Sequence, residues 1–308
     1  MVFVKKLFQK RWIQVVVFAL LGYSSYKAIH AYDRRTEGFT IDKIHSTLPF
    51  NAAWEVPVSK EQLENANTIL AQPFHYLGRG FQCYAFESAD GKYVLKFFRH
   101  QRMRLPEFVS YIPETFPFIK DFKARKEADF EKRKRYLFLG IKVGFQAAPS
   151  ETALLFVHLN KTQNQHGTVK ISDKVGNEYV VELDKVEFML QRKAVHIKPT
   201  IDKLMAEGKV DEAKERLSQI YALLVGCAKK GVQDTDGALI RKNNLGFLDD
   251  HAIYIDSGKL TLKESIKTRE GFSRDLKRLR PLYSWLKAKY PTLATHFDEQ
   301  KQKAINEL

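Results

Sequence analysis

The sequence predicts an α+β protein in two lobes, an antiparallel sheet followed by a short helical region, with one transmembrane helix in front. Three observations predict it: an apolar stretch near the N-terminus, period-2 alternation that begins at Phe74, and helical periodicity that takes over after Val195. The corresponding divisions are a membrane anchor over 1–33, a linker with a short helix over 34–72, a strand-rich lobe over 73–196 and a helix-rich lobe over 197–308.

Residues 12–26 form one apolar run, weakly extended to Tyr32. That is close to the roughly 20 residues a helix needs to cross the hydrocarbon core. Lys5, Lys6, Lys10 and Arg11 precede the run, and Trp12, Tyr23, Tyr26 and Tyr32 stand where interfacial aromatics belong. The rival readings are a cleaved signal peptide, against which no small-x-small cleavage site follows, and a buried or surface amphipathic helix. A single-pass membrane protein is therefore expected. The side of the membrane stays open, because Lys27, Arg34 and Arg35 partly balance the leading charges.

Ser59, followed by Glu61, Gln62 and Glu64, marks a helix start. From 74 to 99 the pattern is a three-stranded meander: a glycine turn at 78–80, a strand over 83–88, a turn at Ala89-Asp90-Gly91 and a strand over 93–98. Pro106, Pro113 and Pro117 punctuate a loop, after which 118–139 reads as a long charged helix. Further strands are expected at 153–159, 169–172, 179–183 and 186–195. Pro199 opens a helical hairpin whose second arm carries Ala213, Leu217, Ile220, Tyr221, Leu224, Val225 and Ala228 as a buried stripe. A strand pair follows at 245–248 and 252–255, and the remainder is helical.

With 44% hydrophobic and 28% charged residues the chain has the apolar material for a packed core, which excludes a disordered protein. Cys83 and Cys227 are far apart and lack companions at metal-ligand spacing, so neither a disulfide framework nor a zinc site is expected. The net charge of +15 implies an anionic partner. Its densest stretch, 120–142, reads as a solvated helix face. Nucleic acid is the least expected of the anionic partners this charge could imply.

Two clusters carry chemistry. In Leu77-Gly78-Arg79-Gly80-Phe81-Gln82-Cys83, a glycine turn between antiparallel strands lets backbone N–H groups approach phosphate oxygens. Lys96, in Val94-Leu95-Lys96 on the next strand but one, supplies a point charge. The second cluster runs through Gly231-Val232-Gln233-Asp234-Thr235-Asp236, Arg241-Lys242-Asn243-Asn244-Leu245-Gly246 and Ile253-Tyr254-Ile255-Asp256-Ser257-Gly258. Singly, these Asp and Asn residues suit ordinary turns. In this order they resemble the protein-kinase-like superfamily: a glycine-led hydrophobic entry to an aspartate, an asparagine opening a short hairpin and Asp-x-Gly closing it.

The resemblance implies a bilobal kinase fold and an ATP- and Mg²⁺-dependent phosphotransferase, which the apolar N-terminal run would hold at or near a membrane. Lys96 would contact the α/β-phosphates, with Gly78 and Gly80 in the loop over them, and Glu131 or Glu127, one turn apart, would pair with the lysine, Glu131 being preferred. Asp256 would be the chief Mg²⁺ ligand, and Asn244 would hold the second metal. Asp236 would accept or orient the acceptor hydroxyl, Asp234 being the other candidate base, and Arg241 would touch the transferred phosphate. The implied partners are a nucleotide and an acceptor whose class, protein, lipid or small molecule, stays open. Cys83 stands where the family has its third loop glycine, Ser257 where it has Phe and Asp234 where it has His, and no Ala-Pro-Glu motif follows. These departures fit an atypical or small-molecule kinase. They also leave open a catalytically silent scaffold that binds a partner protein or an acidic membrane surface.

Overall fold

The computed structural model describes residues 2–106, 109, 111–113, 117–237, 240 and 244–308. Helix α1 (Val2–Arg35) has the length of a membrane span but not the composition. Its strongly apolar stretch, 15–21, gives way to Gly22, Ser24, Ser25, Lys27 and His30. Among the described residues no helix is long and apolar enough to cross a membrane, which corrects the expected transmembrane anchor. Helix α2 (Lys60–Leu70) starts where the sequence places it: Ser59 Oγ accepts from Gln62 N–H, and Gln62 Oε1 accepts from Ser59 N–H in return.

The meander β1 (Phe74–Arg79), β2 (Cys83–Ser88) and β3 (Tyr93–Phe98) lies inside a seven-stranded sheet. It is followed by helix α3 (Pro117–Ala147), the single turn α4 (Pro149–Thr152), and strands β4 (Leu154–His158), β5 (Thr168–Ser172), β6 (Glu178–Glu182) and β7 (Phe188–Arg192). The strand order is β4-β7-β3-β2-β1-β5-β6, and β5 runs parallel to β1 with Phe74 opposite Ile171. The sheet is therefore mixed, not antiparallel as expected. The reason is a crossover. The chain leaves β4 at one edge, lays the β5–β6 hairpin against the opposite edge, then returns as β7 between β4 and β3. A tight hairpin enforces antiparallel pairing, whereas a long crossover permits the parallel sense.

Period-2 alternation sends Phe74, Phe86, Leu95, Phe97 and Phe188 to one face, where Phe39 stands edge-on to Tyr84 and Phe86. Phe98 and Met189 go to the other face, against Leu137, Phe138 and Ile141 of α3. Lys96 shares that second face with Phe98, two residues on.

A short strand β8 (Val195–His196) leads into α5 (Ile197–Ala206), α6 (Val210–Lys229), β9 (Val232–Asp234), β10 (Leu245–Phe247), β11 (Ala252–Tyr254), β12 (Leu260–Leu262), α7 (Arg269–Asp275), α8 (Arg280–Lys289) and α9 (Pro291–Asn306). The α6 stripe is buried against Phe272, Leu282, Leu286, Leu293 and Phe297. Strand β8 pairs with β10, and β9 with β12, so the loops that bear the aspartates are tied down by small sheets at both ends. Helix α3 runs to Ala147 instead of stopping at 139. The added turns carry Gly140 and Gly144, which pack against the loop after β11.

Candidate active site

Lys96 reaches off β3 into the space between the large sheet and the β10–β11 hairpin. Its Nζ donates to Ile255 O at 2.6 Å, the carbonyl immediately before Asp256, and to Gln191 Oε1 at 2.6 Å. Burial lowers the pKa of Lys96, while the Asp256 carboxylate works in the opposite direction. The lysine and the Asp-x-Gly turn therefore share one cleft.

The hairpin explains how Asn244 and Asp256 meet. Leu245 opposes Tyr254, so the residues flanking that pair come together: Asn244 O accepts from Ile255 N–H at 2.7 Å and from Asp256 N–H at 3.4 Å. Asp256 is exposed, and its Oδ1 accepts from Gly258 N–H at 3.0 Å, which closes the turn. Asn244, 5% exposed, donates through Nδ2 to Asp236 Oδ2 at 3.1 Å, and Lys259 Nζ stands 3.3 Å from that same oxygen.

Asp234 lies deeper. Its Oδ1 accepts from Asp236 N–H at 2.7 Å, and its Oδ2 faces Arg278 at 3.3 Å. Arg278 is shared with Asp275, 2.5 Å from its other nitrogen. Burial pushes the Asp234 carboxyl up to about 6, with Arg278 and the Asp236 N–H pulling the other way. Geometry thus separates the two candidate bases: Asp236 opens toward Asn244 and Lys259, whereas Asp234 braces the backbone beneath it.

The glycine turn forms the lip of the cleft. Gly80 N–H donates to Cys83 O at 2.8 Å, and Arg99 holds the lip by its N–H on Gln82 O and its guanidinium on Gly80 O, both at 2.8 Å. Neither Gly78 nor Gly80 adopts positive φ, and a Cβ at Gly78 would meet nothing within 4 Å. The fold itself does not demand glycine at Gly78. Cys83 sits at the lip near Lys96 and Asp256, and burial drives its thiol up to about 12, so it stays neutral.

Neither helix glutamate pairs with Lys96. Glu131 points away, bonded to Lys134, and lines a separate groove of about 850 Å³ with Trp54, Arg135 and Tyr136. Glu127 is exposed. The side of α3 that meets the Asp-x-Gly turn carries Leu137 and Gly140 instead. Arg241 lies outside the described residues. Sequence reasoning missed Gln191 and Arg278: the first is one more polar position on a strand, and no local spacing links the second to Asp234. Lys259, just beyond the Asp-x-Gly motif, was within reach of the motif reading.

No protein-family model matches the chain, and no curated protein matches it. Nine solved chains are similar in structure. One is WbdD with the kinase inhibitor LY294002, at 16% identity and TM-score 0.34, covering 73% of this chain and 44% of that one. Another is described as the bifunctional kinase-methyltransferase WbdD, at 16% identity and TM-score 0.33, covering 73% and 47%. This chain spans less than half the length of those chains. With TM-scores of 0.34 and 0.33 the likeness is loose, and neither a fold family nor a residue role is carried over from it.

Proposed function

We propose that this chain is an ATP- and Mg²⁺-dependent phosphotransferase of the atypical kinase type. The observation that carries the reading is the meeting of Lys96 with the Asn244–Asp256 hairpin, Nζ lying 2.6 Å from the carbonyl next to Asp256. Among the described residues no three His, Cys, Asp or Glu side chains form a metal-ligand cluster. A nucleotide-bound Mg²⁺ needs fewer, because it takes one or two protein oxygens and fills the rest from phosphate and water. The Asp256 carboxylate and the Asn244 side-chain oxygen fit that demand. When bound, Mg²⁺ would neutralise charge developing on the transferred phosphoryl group.

The chain's own residues do the positioning. Lys96 offers a cation to the phosphates, and the lip from Gly78 to Cys83 lies over the same space with a glycine the fold does not require. In this reading Asp236, contacted by the Asn244 amide and by Lys259, would hold the proton of an acceptor hydroxyl. Action at or near a membrane surface belongs to the same proposal. It is supported by the exposed side chains Val15, Phe18, Leu20 and Leu21 and by the net charge of +15, not by a spanning helix.

Transfer of labelled γ-phosphate by the purified full-length protein tests this reading. Asp256→Ala is expected to lower the rate roughly a thousandfold, with the unfolding temperature little changed. Equal rates for both forms would overturn it. A second reading, a nucleotide-binding scaffold without turnover, is favoured by the Lys259–Asp236 ion pair and by the missing glutamate partner of Lys96. Thermal stabilisation by Mg²⁺-ATP without label transfer by the wild type selects that reading.

A further inference from the structure

Gln191 stands on β7, next to β3, at 2% exposure, and both faces of its amide are engaged, the oxygen by one donor and the nitrogen by two acceptors. Oε1 accepts from Lys96 Nζ at 2.6 Å, while Nε2 donates to Thr152 O at 2.6 Å and to Tyr254 O at 2.8 Å. One side chain thus touches β3, the turn α4 and strand β11, joining the sheet side of the cleft to the hairpin that bears Asp256. The partners fix which way round the amide lies. Turned over, its NH₂ would face an ammonium and its oxygen would face two carbonyls.

The same reasoning says why this residue is an amide. The position requires one acceptor toward a cation and two donors toward carbonyl oxygens, which glutamine supplies and glutamate does not. An ionised carboxylate here would set an oxygen against Thr152 O and Tyr254 O. Asparagine is a methylene too short. Glu127 and Glu131, the two glutamates of the helix, are directed elsewhere.

We infer that Gln191 is the positioning residue of Lys96, holding its ammonium between the sheet and the Asp256 hairpin where an acidic helix residue was expected to do so. This rests on the phosphotransferase reading. A neutral partner leaves the lysine's charge to be shared between Asp256 and an incoming phosphate, because an amide orients the ammonium without cancelling it. The lysine's geometry also comes from strand pairing, with Lys96 beside Met189 of β7, and not from an ion pair to α3.

The test uses the full-length protein with Gln191→Met, which keeps length and volume and removes the hydrogen bonds. Three quantities are measured: the unfolding temperature, KM for ATP against kcat, and the rate at about pH 8 at which Lys96 reacts with an acylating reagent, followed by mass spectrometry of its peptide. Loss of a charge-assisted hydrogen bond is expected to raise KM for ATP roughly tenfold to a hundredfold, with a smaller change in kcat. Lys96 is expected to acylate several-fold faster, since an ammonium that has lost one of its two acceptors gives up its proton more readily. A lower unfolding temperature with wild-type KM and wild-type acylation overturns the inference and leaves Gln191 a structural residue. Lys96→Met is the reference. If it binds Mg²⁺-ATP as tightly as the wild type, the phosphotransferase reading falls, and faster acylation in Gln191→Met still upholds the link between the two side chains.

Discussion

The two walls of the cleft are built in different ways. The Lys96 wall stands on strands of five and six residues, β7 and β3, whose neighbours on the far face are buried aromatics. The aspartate wall stands on β9, β10 and β11, each of three residues, and its side chains are held mostly by one another: Asp236 by Asn244 and Lys259, Asp234 by Arg278. Apolar packing is non-directional and cooperative, whereas a hydrogen-bonded network fixes angles and is costly to leave half-made. The first wall should therefore lose stability before it loses geometry when it is damaged. The second should lose geometry and show its charge state in the pH dependence.

The largest expected effect tests the first wall. Phe188 is fully buried, its ring 5.9 Å from Phe156 and 5.2 Å from His158. Phe188→Ala should cost about 4 kcal/mol in urea unfolding. The fraction that remains folded should bind Mg²⁺-ATP as the wild type does. A large change in that affinity would break the division between the walls.

A somewhat smaller effect probes the second wall. Burial holds the Asp234 carboxyl up to about 6, above the roughly 3.9 of an unfolded aspartate. Between those values the folded state keeps a proton that the unfolded state has released. The corresponding stability is complete below about pH 4 and is lost as pH rises through about 6. Asparagine has no such titration. Relative to the wild type, Asp234→Asn should therefore gain about 3 kcal/mol between about pH 4 and pH 7 in a urea series, whatever its absolute stability. Parallel stability curves for the two proteins would show that Asp234 is solvated like a surface aspartate.

The difference between the walls also governs what the sequence disclosed. Local signals sufficed for the β1–β3 meander, for the Ser59 cap and for the α6 stripe, because period, turn chemistry and capping are set within a few residues. The Asn244 and Asp256 pairing was legible for the same reason, as a short hairpin. Strand order was not: that β7 slips between β4 and β3, and that β5 lies parallel to β1, depends on crossovers whose direction no local pattern encodes. The partner of Lys96 followed from strand order, so Gln191 stayed invisible and two helix glutamates were expected in its place. The apolar run of α1 was read by its aromatic flanks and leading charges. The serines, Lys27 and His30 that dilute it decide against a span.

The smallest effects concern the contact that joins the walls. Helix α3 lies against the Asp-x-Gly turn through Gly140, where a Cβ would stand 2.8 Å from both the carbonyl carbon and oxygen of Gly258. Both obstacles are backbone, so Gly140→Ala must push the helix and the turn apart, at about 2 kcal/mol for an overpacked site. One turn along, a Cβ at Gly144 would meet Leu260 Cδ1, Ser257 Cβ and Thr152 Cγ2, each at 3.1 Å. These are side-chain atoms that can yield by a few tenths of an ångström, and alanine also regains about 1 kcal/mol of helix propensity over glycine. Gly144→Ala should therefore leave stability within about 1 kcal/mol of the wild type. Measured side by side by urea unfolding, Gly140→Ala should be the less stable of the two and should weaken Mg²⁺-ATP binding, because the turn it displaces carries Asp256. The reverse ranking would mean that the helix and the turn move independently, and that the two walls are joined through Lys96 and Gln191 without the helix.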